Sequence, residues 1–410
     1  MRYVAVRSVL CLSLLCAAPG VALAQKEKAP AAPAPKISKE ARPALAAAQE
    51  ALKKKDYATA AAKLTEAEAL AKSNDDRFTI GSIRLDLGKA QNDTAMQAAG
   101  IEAVLESGFL PAANVPMFST AAGQLAYNNK DMAKADKYLT QAIASGSNDP
   151  GVYALLMEAK IGEKKPAEAI EVFEKAVAAK PGGVPVPQDW YARAIGVGYQ
   201  AKLAPEVERV TRARVAAYPS PVNWRDALIS YRELNKVDTQ YSIDLMRLLR
   251  VVKGLKGQND YLSYVEGVYQ KLPGEASAVL AEGVASGDIV LATNMTAREF
   301  NDVVKTKVAG DRASLAAGAT HAKGPSGTGP IALAMADAYF GYADYAPAIE
   351  LYRVALAKGG ADPNVVNTRL GAALALSGQA DAARQAFGAV TGPRAGLAKY
   401  WLVWIDQQKA

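Results

Sequence analysis

The side chains best suited to acid–base or metal chemistry are scarce in this sequence. It contains one histidine, His321, and two cysteines, Cys11 and Cys16, both within the first 24 residues. The rest of the chain therefore cannot build a Cys/His zinc site, and a histidine-based triad would depend on His321 alone. That histidine lies in ASLAAGATHAKG, where we predict a surface position beside a flexible loop. The residue types predict a protein that is not an enzyme and binds no metal or cofactor.

Two glycine patterns resemble nucleotide-binding motifs. Gly324-Pro-Ser-Gly-Thr-Gly329 has the glycine spacing of a phosphate loop, but Pro330-Ile331 follow where Lys and Ser/Thr are required. Gly196-Val-Gly198 matches half of a dinucleotide fingerprint, yet it lies inside a helical pattern with no strand before it. We therefore predict no phosphate or dinucleotide site at either position.

Positive charge is concentrated in one stretch. Between Lys202 and Lys256 there are eleven Lys/Arg and six Asp/Glu, whereas the whole chain has a net charge of +7. Within it, Arg247, Arg250 and Lys253 recur every third residue on a predicted helix whose other side carries leucines. This pattern is typical of a solvated face on a core-packed helix, and it also suits contact with an acidic protein, anionic headgroups or an anionic polymer.

The elements that carry these residues repeat at a fixed period. PAEAIEVFEKAVAAKP (166–181) and YAPAIELYRVALAKGG (345–360) match at Ala169, Phe173 and Ala176 with Ala348, Tyr352 and Ala355. The same offsets recur 34 residues before Ala169, at Ala135, and 35 residues after Ala348, at Ala383. Such a period predicts stacked helical hairpins.

Helical patterns follow one another along most of the chain. Caps, prolines and glycines delimit them. A capping box at Thr296–Glu299 predicts a further helix that ends near Val308. The other predicted helices cover 41–54, 56–72, 76–88, 93–107, 115–128, 131–145, 151–162, 166–180, 187–202, 204–218, 222–235, 239–255, 259–271, 274–285, 330–342, 345–358, 364–377, 380–390 and 396–407.

These units resemble the tetratricopeptide repeat family. Its pattern of a large residue and then Leu in the first helix, followed by Ala, aromatic and Ala in the second, is matched by Tyr153, Leu156, Ala169, Phe173 and Ala176. The resemblance implies an all-α solenoid of antiparallel hairpins, here with a C-terminal capping helix that carries Trp401 and Trp404. We expect clear repeats at 38–220 and 330–410 and a diverged helical region at 221–329.

The resemblance also implies a ligand-binding groove lined by the first helices. Lys and Asn at fixed positions grip a carboxylate in some family members, and the matching positions here carry other residues. The candidate partner-binding residues are those on the predicted groove face together with the basic helix: Gln124, Tyr127, Asp337, Phe340, Arg369, Arg247, Arg250 and Lys253.

The first residues predict export. Arg2 and Arg7 precede an apolar run, and Ala22-Leu23-Ala24 is a small-x-small cleavage site, so 1–24 is predicted to be a signal peptide and Gln25 the first mature residue. A Pro/Ala/Lys-rich linker follows at 25–37. We expect a periplasmic or secreted chain that does not span the membrane after cleavage and does not meet nucleic acid.

Together these patterns predict a non-catalytic scaffold that binds other proteins of the cell envelope. The alternative is a periplasmic carrier that holds a peptide, glycan or small molecule inside the superhelix. Either protein could meet an anionic partner at the basic stretch 202–256.

Overall fold

A computed structural model describes residues 34–180 and 183–408. The predicted signal peptide and most of the predicted linker lie outside these residues. Within them, the secondary structure is helical, without a strand. The twenty α-helices are α1 (Arg42–Lys53), α2 (Tyr57–Ala69), α3 (Asn74–Gln91), α4 (Thr94–Glu106), α5 (Val115–Asn128), α6 (Met132–Ala144), α7 (Pro150–Gly162), α8 (Pro166–Ala179), α9 (Gln188–Gln200), α10 (Ala204–Ala217), α11 (Pro221–Leu234), α12 (Thr239–Val251), α13 (Gly257–Val268), α14 (Pro273–Ala285), α15 (Met295–Lys323), α16 (Gly329–Gly341), α17 (Tyr345–Lys358), α18 (Pro363–Leu376), α19 (Ala380–Gly388) and α20 (Ala395–Gln407).

The helix boundaries agree with the predicted ones to within a few residues, apart from one helix. N-terminal caps explain the agreement, because Asp or Ser side chains accept hydrogen bonds from free backbone N–H groups in the first turns of α2, α4, α6 and α11. The exception is α15, which continues to Lys323 instead of ending near Val308. Gly310 lies inside it, and one mid-helix glycine costs only about 1 kcal/mol relative to alanine.

The chain divides into two compact units, one ending at Pro111 and one beginning at Ala112. The predicted blocks 38–220, 221–329 and 330–410 are defined by how well the repeat residues can be recognised. Their boundaries therefore differ from those of the two compact units. In the second unit, a single apolar core runs from Val215 to Ile405. The diverged residues and the C-terminal repeats are therefore packed into one body.

The first unit is held by close helix approach and by one buried carboxylate. A Cβ at Gly100 would lie 2.6 Å from the backbone nitrogen of Leu85, so α3 and α4 touch through their backbones. Asp76 is fully buried and accepts hydrogen bonds from the backbone N–H groups of Ser38, Lys72 and Ser73 at 2.8, 2.9 and 3.0 Å. This side chain ties the residues before α1 to the start of α3.

Replacing Asp76 with alanine is expected to destabilise the first unit by about 1–3 kcal/mol, because three partly buried backbone N–H donors lose their shared acceptor. Burial raises the carboxyl pKa, but the backbone N–H bonds from Lys72 and Ser38 outweigh it and hold the pKa at about 2. The stabilisation that the Asp76 carboxylate gives the folded state is therefore complete above the unfolded carboxyl pKa of about 3.9 and is lost as pH falls towards 2. Hydrogen exchange of peptides from α1–α4 measures the change, and Asp86→Ala on the exposed side of α3 is the control.

Residues one period apart connect successive hairpins in the second unit. Arg193 donates two hydrogen bonds to Glu158, each of 2.8 Å, and the Tyr199 hydroxyl donates to Glu233 at 2.7 Å. The same spacing joins Arg225 to Asp260, beyond the point where the sequence repeat fades. The period therefore continues structurally into 221–329, although the repeat residues are not recognisable there.

Helix α12 differs from the other helices of the second unit in its burial. Helices two apart contact each other both before it, as α5 with α7 and α8 with α10, and after it, as α14 with α16 and α15 with α17. Every residue of α12 from Ile243 to Leu249 is buried. A helix buried on every side over these residues explains why the tetratricopeptide pattern, which has one packed face, cannot be placed in this region.

The last helix covers the final hairpin, as predicted, and also contacts α10. Trp401 stacks on Phe387 of α19, with ring centroids 5.9 Å apart. On another side of α20, the Tyr400 hydroxyl lies 2.6 Å from that of Thr211, and the Gln407 amide donates to the carbonyl of Val215 at 2.7 Å. The contacts of α20 with α10 thus close the path of helices that begins at α10, and the buried α12 lies inside this closed path.

Candidate functional site

Six of the eight candidate residues come together on α12, just after it at Lys253, and on α16 and α18. Arg247, Arg250, Lys253 and Phe340 line one cavity of about 640 Å³, and Asp337 and Arg369 lie buried next to it. Gln124 and Tyr127 lie apart, half-buried on α5. Burial raises the pKa of the Tyr127 hydroxyl, and the charge of Glu158 adds to this shift. The structure does not bring this pair into the cavity.

The floor of the cavity is an ion pair between α12 and α14. Arg247 is only 4% exposed and donates to both carboxylate oxygens of Glu275, at 2.8 and 2.7 Å. Its guanidinium also lies over the Phe340 ring, 4.7 Å from the centroid. The Tyr264 hydroxyl donates to the same glutamate at 2.6 Å. Arg247 is therefore a paired interior residue, and the solvated positive face expected of this helix does not extend to it.

This pair belongs to a larger buried cluster of three carboxylates and three guanidinium groups. The Asp244 carboxylate is at its centre and accepts from Arg369 Nε at 2.9 Å, from Arg247 Nη1 at 3.0 Å and from Arg394. Arg369 also donates to Asp337. We call this group the ionic cluster; its charged members are Asp244, Arg247, Glu275, Asp337, Arg369 and Arg394.

The pKa shifts in the ionic cluster show how its charges are balanced. Burial raises the pKa of Asp244, but the guanidinium groups of Arg369, Arg247 and Arg394 outweigh it and hold the pKa below its usual range. The pKa of Glu275 is likewise lowered, because Arg247 and the Tyr264 hydroxyl more than offset burial. For Asp337 burial prevails over Arg369 and Arg247, and its pKa is raised. The cluster is thus an internal charge balance that fastens α12 to α14, α16, α18 and the turn before α20.

The sequence interpretation missed three members of the cluster, and their signals were ambiguous. Asp244 interrupts an apolar run, and a single aspartate there also suits a solvated position. Glu275 stands in the first turn of α14, where glutamate is common because it complements the helix dipole. Arg394 lies in a turn. Only the pairing across helices distinguishes these residues from ordinary surface charges.

Six of the seven arginines in the basic stretch 202–256 are paired with carboxylates. Arg250 donates from Nε to Glu282 at 2.7 Å at the rim of the cavity. Lys253 follows α12 in a left-handed conformation, with φ of 56°, and is exposed. The other arginines with carboxylate partners are Arg209 with Glu174, Arg212 with Glu208, Arg214 with Asp226, and Arg225 with Asp260.

The histidine and the glycine-rich loop that resemble catalytic or phosphate-binding residues make structural contacts. His321 is exposed on α15, with Nδ1 3.5 Å from the Ser326 hydroxyl. The Lys358 ammonium donates to the carbonyls of Gly324 and Gly327 at 2.7 and 3.0 Å, so this loop presents carbonyl oxygens rather than a cradle of N–H groups. A Cβ at Gly329 would lie 1.9 Å from the Gly359 carbonyl oxygen, which explains a glycine there by packing.

Within residues 34–180 and 183–408, no His, Cys, Asp and Glu side chains gather in a group that could hold a metal ion. None of the helices in that part of the chain combines the length and the apolarity needed to cross a membrane.

Comparison with known proteins gives likenesses of fold only. No protein-family model and no curated protein matches the sequence. The similar solved structures include pilF of Pseudomonas aeruginosa, which is 16% identical, with 60% of this chain and 98% of that chain covered and a TM-score of 0.24. Naa15/Naa10 bound to HypK is 12% identical, with 90% and 68% covered and a TM-score of 0.29. The APC/C assembly Cut9–Hcn1 is 12% identical, with 88% and 66% covered and a TM-score of 0.23. The fold assignment therefore rests on the packing of this chain's own hairpins.

Proposed function

We propose that this protein is a non-catalytic scaffold that binds another protein through the open cavity between α12, α14 and α16. The observation that carries the proposal is the position of this cavity in a hairpin solenoid, above a paired ionic floor. The carboxylates of the ionic cluster all accept from arginines, so the rigid floor supports a binding surface better than it supports proton transfer. Repeat solenoids commonly use such extended surfaces to hold other proteins.

The test is affinity capture with the full chain and two variants. Ala281→Trp places an indole in the cavity at an exposed helical position, and Ala317→Trp places one on exposed α15, away from it. We expect one specific protein to be retained by the wild type and by Ala317→Trp, and to be lost with Ala281→Trp. Recovery of no specific protein, or equal recovery with both variants, would contradict the proposal.

The finer part of the proposal is a location in the cell envelope. The basic n-region, the apolar run and the cleavage site after Ala24 support export, and the partner is then an envelope protein, with an anionic surface where it meets Lys253. The protein purified from an envelope fraction is expected to begin at Gln25. An amino terminus at Met1 in the cytoplasmic fraction would overturn this location.

A second candidate is a carrier of a peptide, glycan or small molecule. It is favoured by the aromatic walls of the cavity, where Phe340 and Tyr345 meet edge to face with centroids 5.6 Å apart. A cavity of about 640 Å³ is within the ~300–1,000 Å³ of ligand sites. A strong thermal stabilisation by a metabolite or glycan, abolished in Ala281→Trp, would favour the carrier.

A further inference from the structure

The cavity beside α12 continues along α14 into a second one. A cavity of about 350 Å³ between α14 and α15 shares Ser277 and Ala281 with the first. The two form one depression that extends from Lys253 on one side of α14 to Lys305 on the other. We call this depression the α14 groove; it consists of the residues that line these two cavities.

The walls that α14 and its neighbours contribute to the α14 groove are formed by small and apolar side chains. Ala278 and Ala281 lie in its first part, and Val284, Ala285 and Leu291 in its second. Val284 is 41% exposed and, together with the exposed Ala281 and Ala285, forms an exposed face of α14. Small residues on an exposed helix leave room for side chains from outside, and burying apolar area there is favourable at roughly 25 cal/mol per Å².

The charges of the groove leave two lysines without a carboxylate. Its charged lining is Arg247, Arg250, Lys253 and Lys305 against Glu275 and Glu282. Both glutamates are already bound, Glu275 by Arg247 and Glu282 by Arg250. Lys253 and Lys305 are exposed and have no ion pair within the described residues. The groove therefore presents an apolar wall along α14 with one unpaired cation towards each end.

We propose that the α14 groove binds a peptide segment of a partner protein in which apolar side chains are flanked by acidic residues. The apolar side chains enter the two cavities on either side of Ala281, and the acidic residues meet Lys253 and Lys305. This inference rests on the proposed scaffold function and specifies the partner's chemistry. An apolar wall with only two unpaired lysines suits such a segment better than a polyanion, which needs a continuous basic surface.

The partner chemistry is tested by selecting phage-displayed random 16-residue peptides on the full chain. We expect the selected peptides to carry Asp or Glu on both sides of apolar residues. Their binding should weaken by about tenfold or more in Ala281→Trp and in the double variant Lys253→Glu/Lys305→Glu, since the first fills the groove and the second reverses its charge. Ala317→Trp and Lys271→Glu, at exposed positions outside the groove, should bind as the wild type does.

Four results would overturn the inference. They are selected peptides that are basic or uncharged, binding that Ala281→Trp does not change, displacement of the peptides from the groove by a glycan or metabolite, and selection of no peptide. If affinity capture still recovers a specific protein that Ala281→Trp does not release, the groove inference fails and a scaffold with another binding surface remains. If acidic–apolar peptides are selected and no cellular protein is captured, the chemistry of the groove stands and the scaffold proposal fails.

Discussion

Replacing Asp244 with alanine is expected to destabilise the second unit by about 3–5 kcal/mol, because buried guanidinium groups lose their shared carboxylate. Arg247 and Arg369 keep Glu275 and Asp337 as partners. Among the residues that the structure describes, Arg394 keeps only the Tyr241 ring, whose centroid lies 4.8 Å from its guanidinium carbon. A cation left in the interior without a carboxylate accounts for most of the expected loss.

The measurement is urea unfolding followed by tryptophan fluorescence, which reports on the second unit because all four tryptophans, Trp190, Trp224, Trp401 and Trp404, lie in it. The control is Asp226→Ala, which removes an exposed carboxylate from Arg214 and should cost less than about 1 kcal/mol. Adding Arg394→Met to Asp244→Ala should recover part of the loss by removing the unpaired charge. A loss no larger than that of Asp226→Ala would show that the cluster does not hold α12 in place.

The contribution of Asp244 also depends on pH in a defined direction. Three guanidinium groups hold its pKa below the usual range despite burial. A depressed pKa stabilises the folded state above the unfolded carboxyl pKa of about 3.9, and the stabilisation is lost as pH falls below it. The difference in stability between the wild type and Asp244→Ala should therefore be constant near neutral pH and shrink in acid.

Replacing Trp401 with alanine is expected to cost about 3–5 kcal/mol, the range for removing a large aromatic side chain from a packed interior. The indole is only 1% exposed and lies between Phe387 and Trp404, whose ring centroids are 5.9 and 5.6 Å away. Because α20 also contacts α10, the loss should extend to the closure of the helical path around α12.

Hydrogen exchange separates this closure from a local defect. In Trp401→Ala, peptides from α10 and α19 should both exchange faster, although α10 is nearly two hundred residues away in sequence. Val403→Ala, at a half-buried position on the same helix, should have a much smaller effect. Faster exchange confined to α19 and α20 would mean that α20 is a simple cap and does not close the path.

The helices could be predicted from sequence because their signals are local. Asp caps, prolines in the first turn and glycines after the last turn each act within a few residues, and the Ala–aromatic–Ala spacing marks the packed face. The predicted end of α15 near Val308 was wrong for a related reason. The Ala-rich segment after Gly310 has high helix propensity, and no proline or cap separates it from the helix before.

The candidate site could be predicted only in part, because its key contacts join residues that are distant in sequence. Asp244 meets Arg369 and Arg394, which follow it by 125 and 150 residues. Arginines at a spacing of three look alike whether they face water or carboxylates on another helix, so Arg247 and Lys253 received the same interpretation. The groove face therefore stays a prediction, and the sequence pattern could not show that α12 is buried from Ile243 to Leu249.

Partner binding in the α14 groove is tested most directly by photocrosslinking in living cells. The crosslinker is placed at position 278, inside the groove, and for comparison at position 317, outside it. A photoreactive phenylalanine at each position leaves the chain otherwise intact. We predict a crosslink to one partner protein from position 278, loss of this crosslink when Ala281→Trp is added, and no such crosslink from position 317. The same protein crosslinked equally from both positions, or none from position 278, would contradict this prediction.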